Sequence, residues 1–218
     1  MKVVLLCGGL GTRLKEETEY KPKPMVEVGG RPLLWHIMKN YSKNGFNEFV
    51  LCLGYKGNVI KDYFVNYNIR ANDFTLKLKD HSISIHNQHS EVDWQITFAE
   101  TGPNTMTGGR VKKVQKYVDG DEFMLTYGDG VSDVNLKELL AFHRSHGKIG
   151  TVTGVVPPSR FGELVTEKNM VKTFSEKPQF DGRGMINGGY FVFNKKFFDF
   201  LPDAEECILE RQPLENLA

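Results

Sequence analysis

The chain has 218 residues, 25% charged and 40% hydrophobic, the balance of a soluble globular protein with room for one large domain or at most two small ones, which excludes a disordered chain. Its 28 Lys and Arg against 27 Asp and Glu leave a net charge of +1, so no overall field draws it to nucleic acid or an anionic membrane, and any anion it binds must be met by local charge. Cys7, Cys52 and Cys207 fall at no paired or metal-type spacing, which argues against a disulfide framework and for a reducing compartment, with the cytoplasm as the expectation.

In chain order, residues 1–6 are apolar but give way at once to glycine and charge, too short a run for a signal sequence or a bilayer span. Residues 3–7 form a continuous apolar, β-branched run, the pattern of a strand buried on both faces. Pro32 fits a first helical turn, and Leu33, Leu34, Ile37, Met38 and Tyr41 share one face, which predicts a helix that Gly45 stops. A second buried strand is predicted over 49–53, ending at Gly54, and a helix over 58–67. Residues 74–99 break this rhythm, because Phe74, Leu76 and Leu78, then Ile83 and Ile85, then Ile96 and Phe98 alternate with polar residues at period two, the mark of a strand-rich excursion. A third buried strand over 123–127 ends at Gly128, and Asn135 with Glu138 three residues on resembles a capping box opening a helix through His146. Strand-like runs follow over 151–156, 163–166, 171–174 and 189–193. With no long linker or repeat, one domain over 1–218 is expected: an α/β, Rossmann-like fold with a mixed, mostly parallel sheet, helices on both faces and a β-rich excursion, its ligands at the carboxyl ends of the strands.

Many of the 22 glycines cluster at those predicted ends, which suggests backbone brought close to a ligand. Gly8-Gly9-Leu10-Gly11-Thr12-Arg13 leaves the first buried strand as a loop whose successive N–H groups can ring a polyphosphate, with Arg13 and Lys23 as cations. A dinucleotide fingerprint lacks its third glycine, since Leu14 stands there, and a Walker loop lacks Gly-Lys-Ser/Thr. Gly128-Asp129-Gly130 suits a turn when taken alone. Beside the first loop, it is better read as a carboxylate presented to a divalent cation that bridges phosphates. Lys177, at the end of a predicted strand, offers a further cation. His81, His86 and His89 match no zinc spacing, and Arg110-Val111-Lys112-Lys113-Val114 lacks the aromatic interleaving of a nucleic-acid surface.

The first loop with Lys21-Pro22-Lys23-Pro24-Met25, then Gly128-Asp129-Gly130, Glu176-Lys177-Pro178 and Asn187-Gly188-Gly189, resembles the sugar-1-phosphate nucleotidyltransferase family, in order along essentially the whole chain. Leu34-Trp35-His36-Ile37-Met38, Gly54-Tyr55-Lys56-Gly57 and Thr105-Met106-Thr107-Gly108-Gly109-Arg110 resemble the branch that transfers a cytidylyl group to glucose 1-phosphate. The resemblance implies that CTP and glucose 1-phosphate are joined to CDP-glucose with release of pyrophosphate. By the same resemblance Gly8, Gly9, Leu10, Gly11, Thr12 and Arg13 cradle the nucleotide, Arg13 meets the departing pyrophosphate, and Lys23 contacts the nucleotide's phosphates. Thr105 and Arg110 hold CTP, Gly128 lies beside the nucleotide, Asp129 ligates Mg2+, Lys177 binds the sugar phosphate, and Glu176, Asn187, Gly188 and Gly189 line the sugar pocket. A homo-oligomer is implied as well, with 74–99 a candidate contact surface. Two departures follow: Val165 stands where many relatives carry an acidic residue for the sugar hydroxyls, and the family's second metal-binding aspartate belongs to a C-terminal stretch that this domain is expected to lack. The same chemistry on another nucleotide or sugar, and a nucleotide-binding protein without turnover, stay open as alternatives.

Overall fold

The computed structural model describes residues 1–9, 20–87, 89–91, 93–157, 163–167, 170–175 and 185–218. In chain order its strands are β1 (Lys2–Leu6), β2 (Glu27–Val28), β3 (Arg31–Pro32), β4 (Glu48–Leu53), β5 (Phe74–Lys77), β6 (Ser82–Ile85), β7 (Gln95–Glu100), β8 (Glu122–Tyr127), β9 (Gly150–Val155), β10 (Glu163–Glu167), β11 (Met170–Ser175) and β12 (Ile186–Asn194). The chain falls into two compact units, one of Met1–Thr151 with Tyr190–Ala218, the other of Val152–Gly189.

The central sheet has the order β7-β4-β1-β8-β12-β9. β1 runs parallel to both β4 and β8, β4 runs parallel to β7, and β12 is antiparallel to β8. The apolar runs explain why this sheet is covered on both faces. Along β1, Val4 and Leu6 enter one core with Val50, Cys52, Phe123 and Leu125, while Val3, Leu5 and Cys7 enter another with Phe49, Leu51 and Met124. Alternate residues of one strand thus feed two separate cores, each side chain contributing about 1.5–3 kcal/mol when fully buried.

The predicted helix after Pro32 spans Leu33–Lys43 and buries Leu34, Ile37, Met38 and Tyr41 at the helical spacing read from the sequence. Asn135 does cap Leu136–His146, its side chain accepting from the Glu138 N–H at 3.2 Å. Between β2 and β3, Gly29 and Gly30 both take positive φ, +59° and +76°, the geometry a two-residue hairpin turn requires.

Three elements differ from expectation. The helix predicted over 58–67 is Gly57–Val65 followed, past Asn66, by a separate Tyr67–Ala71. The excursion is shorter than its periodicity suggested: β5 and β6 form an isolated antiparallel hairpin, whereas β7 returns to the main sheet beside β4. Period two is what a half-buried edge strand shows as well, so alternation alone could not separate the two. Thr107–Lys113 is helical although its sequence carries two glycines and no apolar periodicity.

In the second unit β10 and β11 pair antiparallel, with a register shift at Val165/Thr166. No helix among the described residues is long and apolar enough to cross a membrane.

Candidate active site

The order of the sheet fixes where a crevice opens. From β1 the chain moves outward to β4 and β7, then returns to the other side of β1 as β8. The chain after β1 thus leads to strands on one side of β1 and the chain after β8 to strands on the other, the switch point at which open α/β sheets bind ligands. A cavity of about 480 Å³ lies there, and Gly8, Gly9, Lys23, Thr105, Tyr127 and Asp129 are among the residues that line it.

Asp129 reaches it because β1 and β8 stay close beyond their last paired residues. The Gly128 N–H donates to the Leu6 carbonyl at 3.0 Å, and a Cβ on Gly128 would sit 2.9 Å from that same oxygen. Glycine at 128 is thus a packing requirement between two strand ends. Lys23 approaches from a single 3-10 turn, Lys23–Met25, between Pro22 and the buried Pro24 and Met25; the Met25 N–H donates to the Pro22 carbonyl at 2.8 Å. The Lys23 ammonium donates to Asp129 Oδ2, and the two side chains remain about a third exposed, 29% and 33%, toward the cavity. The pair predicted from separate motifs is one ion pair in one cavity.

Gly8 is held from behind. Arg110, 4% exposed on the helix Thr107–Lys113, donates through Nη1 to the Leu53 carbonyl, Thr101 Oγ1 and the Gly102 carbonyl at 2.7–2.9 Å. Through Nη2 it donates to the carbonyls of Gly8 and Pro103 at 3.0 and 3.3 Å. Burial lowers this guanidinium's pKa from its ordinary value, yet a guanidinium remains protonated in proteins. Thr105, 3% exposed, donates to the Thr101 carbonyl at 2.6 Å and accepts from Lys113 Nζ at 3.1 Å. Arg110 and Thr105, expected at the nucleotide, are both present in the cavity wall.

That wall has a second layer, which sequence reading missed. Residues 204–210 lie against the start of the helix Thr107–Lys113: the Met106 N–H donates to the Glu205 carbonyl at 2.7 Å, and those of Gly108 and Gly109 donate to the Cys207 carbonyl at 2.9 and 3.1 Å. Cβ atoms on Gly108 and Gly109 would meet Cys207 Sγ at 2.4 Å and the Ala204 carbonyl at 2.7 Å. This glycine pair admits protein backbone, not ligand. Tyr127 closes the strand predicted over 123–127, and that place at a carboxyl end is the signal in the sequence that it faces the crevice.

The remaining candidates are distributed otherwise. Leu10, Gly11, Thr12, Arg13, Glu176 and Lys177 lie outside the described residues. Asn187, Gly188 and Gly189 belong to the second unit, where Asn187 Oδ1 accepts the Gly189 N–H at 2.8 Å and a Cβ on Gly188 would lie 2.8 Å from the Thr153 carbonyl.

The donor set limits the chemistry. Burial pushes the Cys7 thiol well up and the Cys52 thiol to about 12, so neither supplies a thiolate nucleophile near neutral pH. Among the described residues no three His, Cys, Asp or Glu side chains converge as a metal cage. Among the described residues that line the cavity Asp129 is the one carboxylate, with a lysine beside it, which suits Mg2+, an ion commonly held by one or two carboxylates together with substrate phosphates.

The profile of the family described as Nucleotidyl transferase matches residues 2–213. The glucose-1-phosphate cytidylyltransferase of Salmonella typhi is 50% identical over 219 residues, covering 100% of this chain and 84% of that protein. The probable glucose-1-phosphate cytidylyltransferase of Bacillus subtilis is 47% identical over 218 residues, with the same coverage. Among solved structures, HddC from Yersinia pseudotuberculosis superimposes with a TM-score of 0.68 at 26% identity, covering 100% of this chain and 86% of that one. A UDP-glucose pyrophosphorylase complexed with UDP-glucose, at 14% identity and a TM-score of 0.65, shares the fold. With its crevice at the β1/β8 switch point and a family match along nearly its whole length, the chain belongs to the nucleotidyl transferase family.

Proposed function

We propose that this chain is a glucose-1-phosphate cytidylyltransferase, joining CTP and glucose 1-phosphate to CDP-glucose and pyrophosphate. The observation that carries the reading is the convergence of Lys23 and Asp129 in the switch-point cavity of a chain 50% identical to enzymes of that name.

A phosphate oxygen of glucose 1-phosphate attacks the α-phosphorus of CTP; the bond from that phosphorus to the oxygen bridging the β-phosphate breaks, and pyrophosphate leaves with the electron pair. The nucleophile is already an anion, so no proton has to be removed from it. The task left to the protein is to hold two mutually repelling anions in line and to stabilise charge as it shifts.

In this reading Gly8, Gly9, Leu10, Gly11, Thr12 and Arg13 receive the nucleotide, with Arg13 at the departing pyrophosphate. Gly9 fits that role, since a Cβ there would find no atom of the described residues within 4 Å. Lys23 exchanges the Asp129 carboxylate for a phosphate oxygen. Asp129 would hold Mg2+, which would supply Lewis-acid neutralisation of the phosphates. Thr105, Arg110 and Gly128 shape the nucleotide side, and Glu176, Lys177, Asn187, Gly188 and Gly189 serve the sugar phosphate. The family resemblance extends the proposal to a cytoplasmic homo-oligomer, which light scattering would check.

The test is pyrophosphate release with CTP, UTP, GTP and dTTP, each paired with several sugar 1-phosphates and Mg2+. CTP with glucose 1-phosphate is expected to give the highest kcat/KM. Equal use of UTP would overturn the base assignment, and CTP binding without release would favour a binding protein.

A further inference from the structure

Glu210 makes contacts that the reaction as described leaves unused. Its carboxylate lies on the segment 204–210, exposed and outside the lining of the nucleotide cavity, yet each oxygen takes a hydroxyl from a residue that does line it. Tyr127 Oη donates to Glu210 Oε1 at 2.6 Å, and Thr107 Oγ1 donates to Oε2 at 2.7 Å. Thr107 Oγ1 in turn accepts the Leu209 N–H at 2.9 Å, so the threonine's donor and one of its acceptor sites are committed to the same segment.

The two hydroxyls come from unrelated elements. Tyr127 ends β8, two residues before Asp129, and its ring meets Phe191 edge-on at 6.1 Å. Thr107 opens the helix that carries Arg110. A carboxylate that accepts two hydroxyl protons forms short, charge-assisted bonds, and bonds to both oxygens fix its plane as well as its position. Glu210 therefore ties Tyr127, at the β8 end of the cavity, to Thr107, in the wall made by residues 103–107.

We propose that Glu210 is a positioning residue for the nucleotide: it acts through Tyr127 and Thr107 and holds them at the spacing that the nucleoside of CTP requires. The proposal rests on the cytidylyltransferase reading. Its consequence is directional. Loss of Glu210 leaves Lys23 and Asp129 in place, so the transfer step persists, while binding of CTP loses a preorganised wall.

Glu210→Ala and Glu210→Gln are compared with the parent chain by steady-state kinetics in both substrates and by calorimetric titration of CTP, with circular dichroism as the check on folding. Glu210→Ala is expected to raise the KM and Kd for CTP about tenfold, the size of one charge-assisted hydrogen bond, and to leave the KM for glucose 1-phosphate within about twofold. Glu210→Gln keeps one carbonyl acceptor and is expected to recover part of the loss. In a double-mutant cycle Tyr127→Phe should add little to Glu210→Ala, because both remove the same bond. Unchanged CTP affinity, parallel changes in both substrate KM values, or strict additivity with Tyr127→Phe would each overturn the positioning role. A parent chain that binds CTP but releases no pyrophosphate would instead overturn the cytidylyltransferase reading, and the effect of Glu210→Ala on Kd would still decide the proposal.

Discussion

Gly8 and Arg110 occupy a single space: a Cβ added to Gly8 would lie 2.3 Å from the carbon of the Arg110 guanidinium, which donates to the Gly8 carbonyl. Gly54, at the end of β4, stands in the same relation, its imagined Cβ 2.5 Å from Nη1. Two glycines of the motifs thus leave room for one buried cation that binds the loops together.

Gly8→Ala and Gly54→Ala should each cost about 1–3 kcal/mol, the penalty of overpacking a site that cannot relax without breaking the Arg110 bonds. Gly9→Ala meets no atom of the described residues within 4 Å and should differ in unfolding free energy from the parent by no more than about 0.5 kcal/mol. Chemical denaturation of the three variants checks the contrast; equal midpoints for Gly8→Ala and Gly9→Ala would refute it.

Asp129→Ala should fold normally and lose on the order of a hundredfold or more in turnover, since it removes the carboxylate that pairs with Lys23 in the cavity. Pyrophosphate release and circular dichroism measure the two halves of this statement. Near-parental turnover would remove Asp129 from the mechanism.

Acid should weaken the fold through His143. This ring is 3% exposed and bonded to Thr151 Oγ1 at 2.8 Å, a hydroxyl that His146 also reaches at 2.8 Å. Burial lowers its pKa from 6.5, outweighing the attraction of Glu122, and His146 and Arg144 act in the same direction as burial. The unfolded chain therefore binds the proton more tightly than the folded one. Stability is complete above pH 6.5 and falls as the pH drops below it, by at most about 1.4 kcal/mol per unit from this group. Urea midpoints between pH 8 and pH 5 should show the decline, and His143→Gln should flatten it.

Lys39→Met should destabilise by about 1–3 kcal/mol. Glu91 is 7% exposed, and its carboxylate accepts from Lys39 at 2.6 Å, Ser90 at 2.6 Å and Tyr67 at 3.1 Å. Burial pushes its pKa up, but these donors bring the net value below the ordinary carboxylate range. Without Lys39 the carboxylate keeps its burial and loses its cation. A thermal midpoint equal to the parent's would show that Ser90 and Tyr67 suffice.

The central sheet was legible because residues 3–7, 49–53 and 123–127 are apolar on both faces, and a strand with that pattern has few places to go. The meeting of Lys23 with Asp129 followed from the rule that ligands gather at strand ends. Other features left no such trace. Glycine packed against protein and glycine bared to a ligand read alike, so Gly8 and Gly108 resembled Gly9 until their neighbours were in place. The helix Thr107–Lys113 depends on carbonyls from Glu205 and Cys207, nearly a hundred residues away, and no local propensity announces it. Glu210 carries no motif at all, since its meaning resides in two hydroxyls supplied by other elements.

The segment 204–210 also sets an order of events during synthesis. By the time β12 has left the ribosome every strand of the central sheet has been made, yet the amides of Met106, Gly108 and Gly109 still lack the carbonyls of Glu205 and Cys207. A nascent chain at that stage carries Lys23 and Asp129 but only an unfinished cavity wall. The cavity wall is thus completed only after the last strand of that sheet, as a closure between distant parts of the chain and not as a property of the sheet.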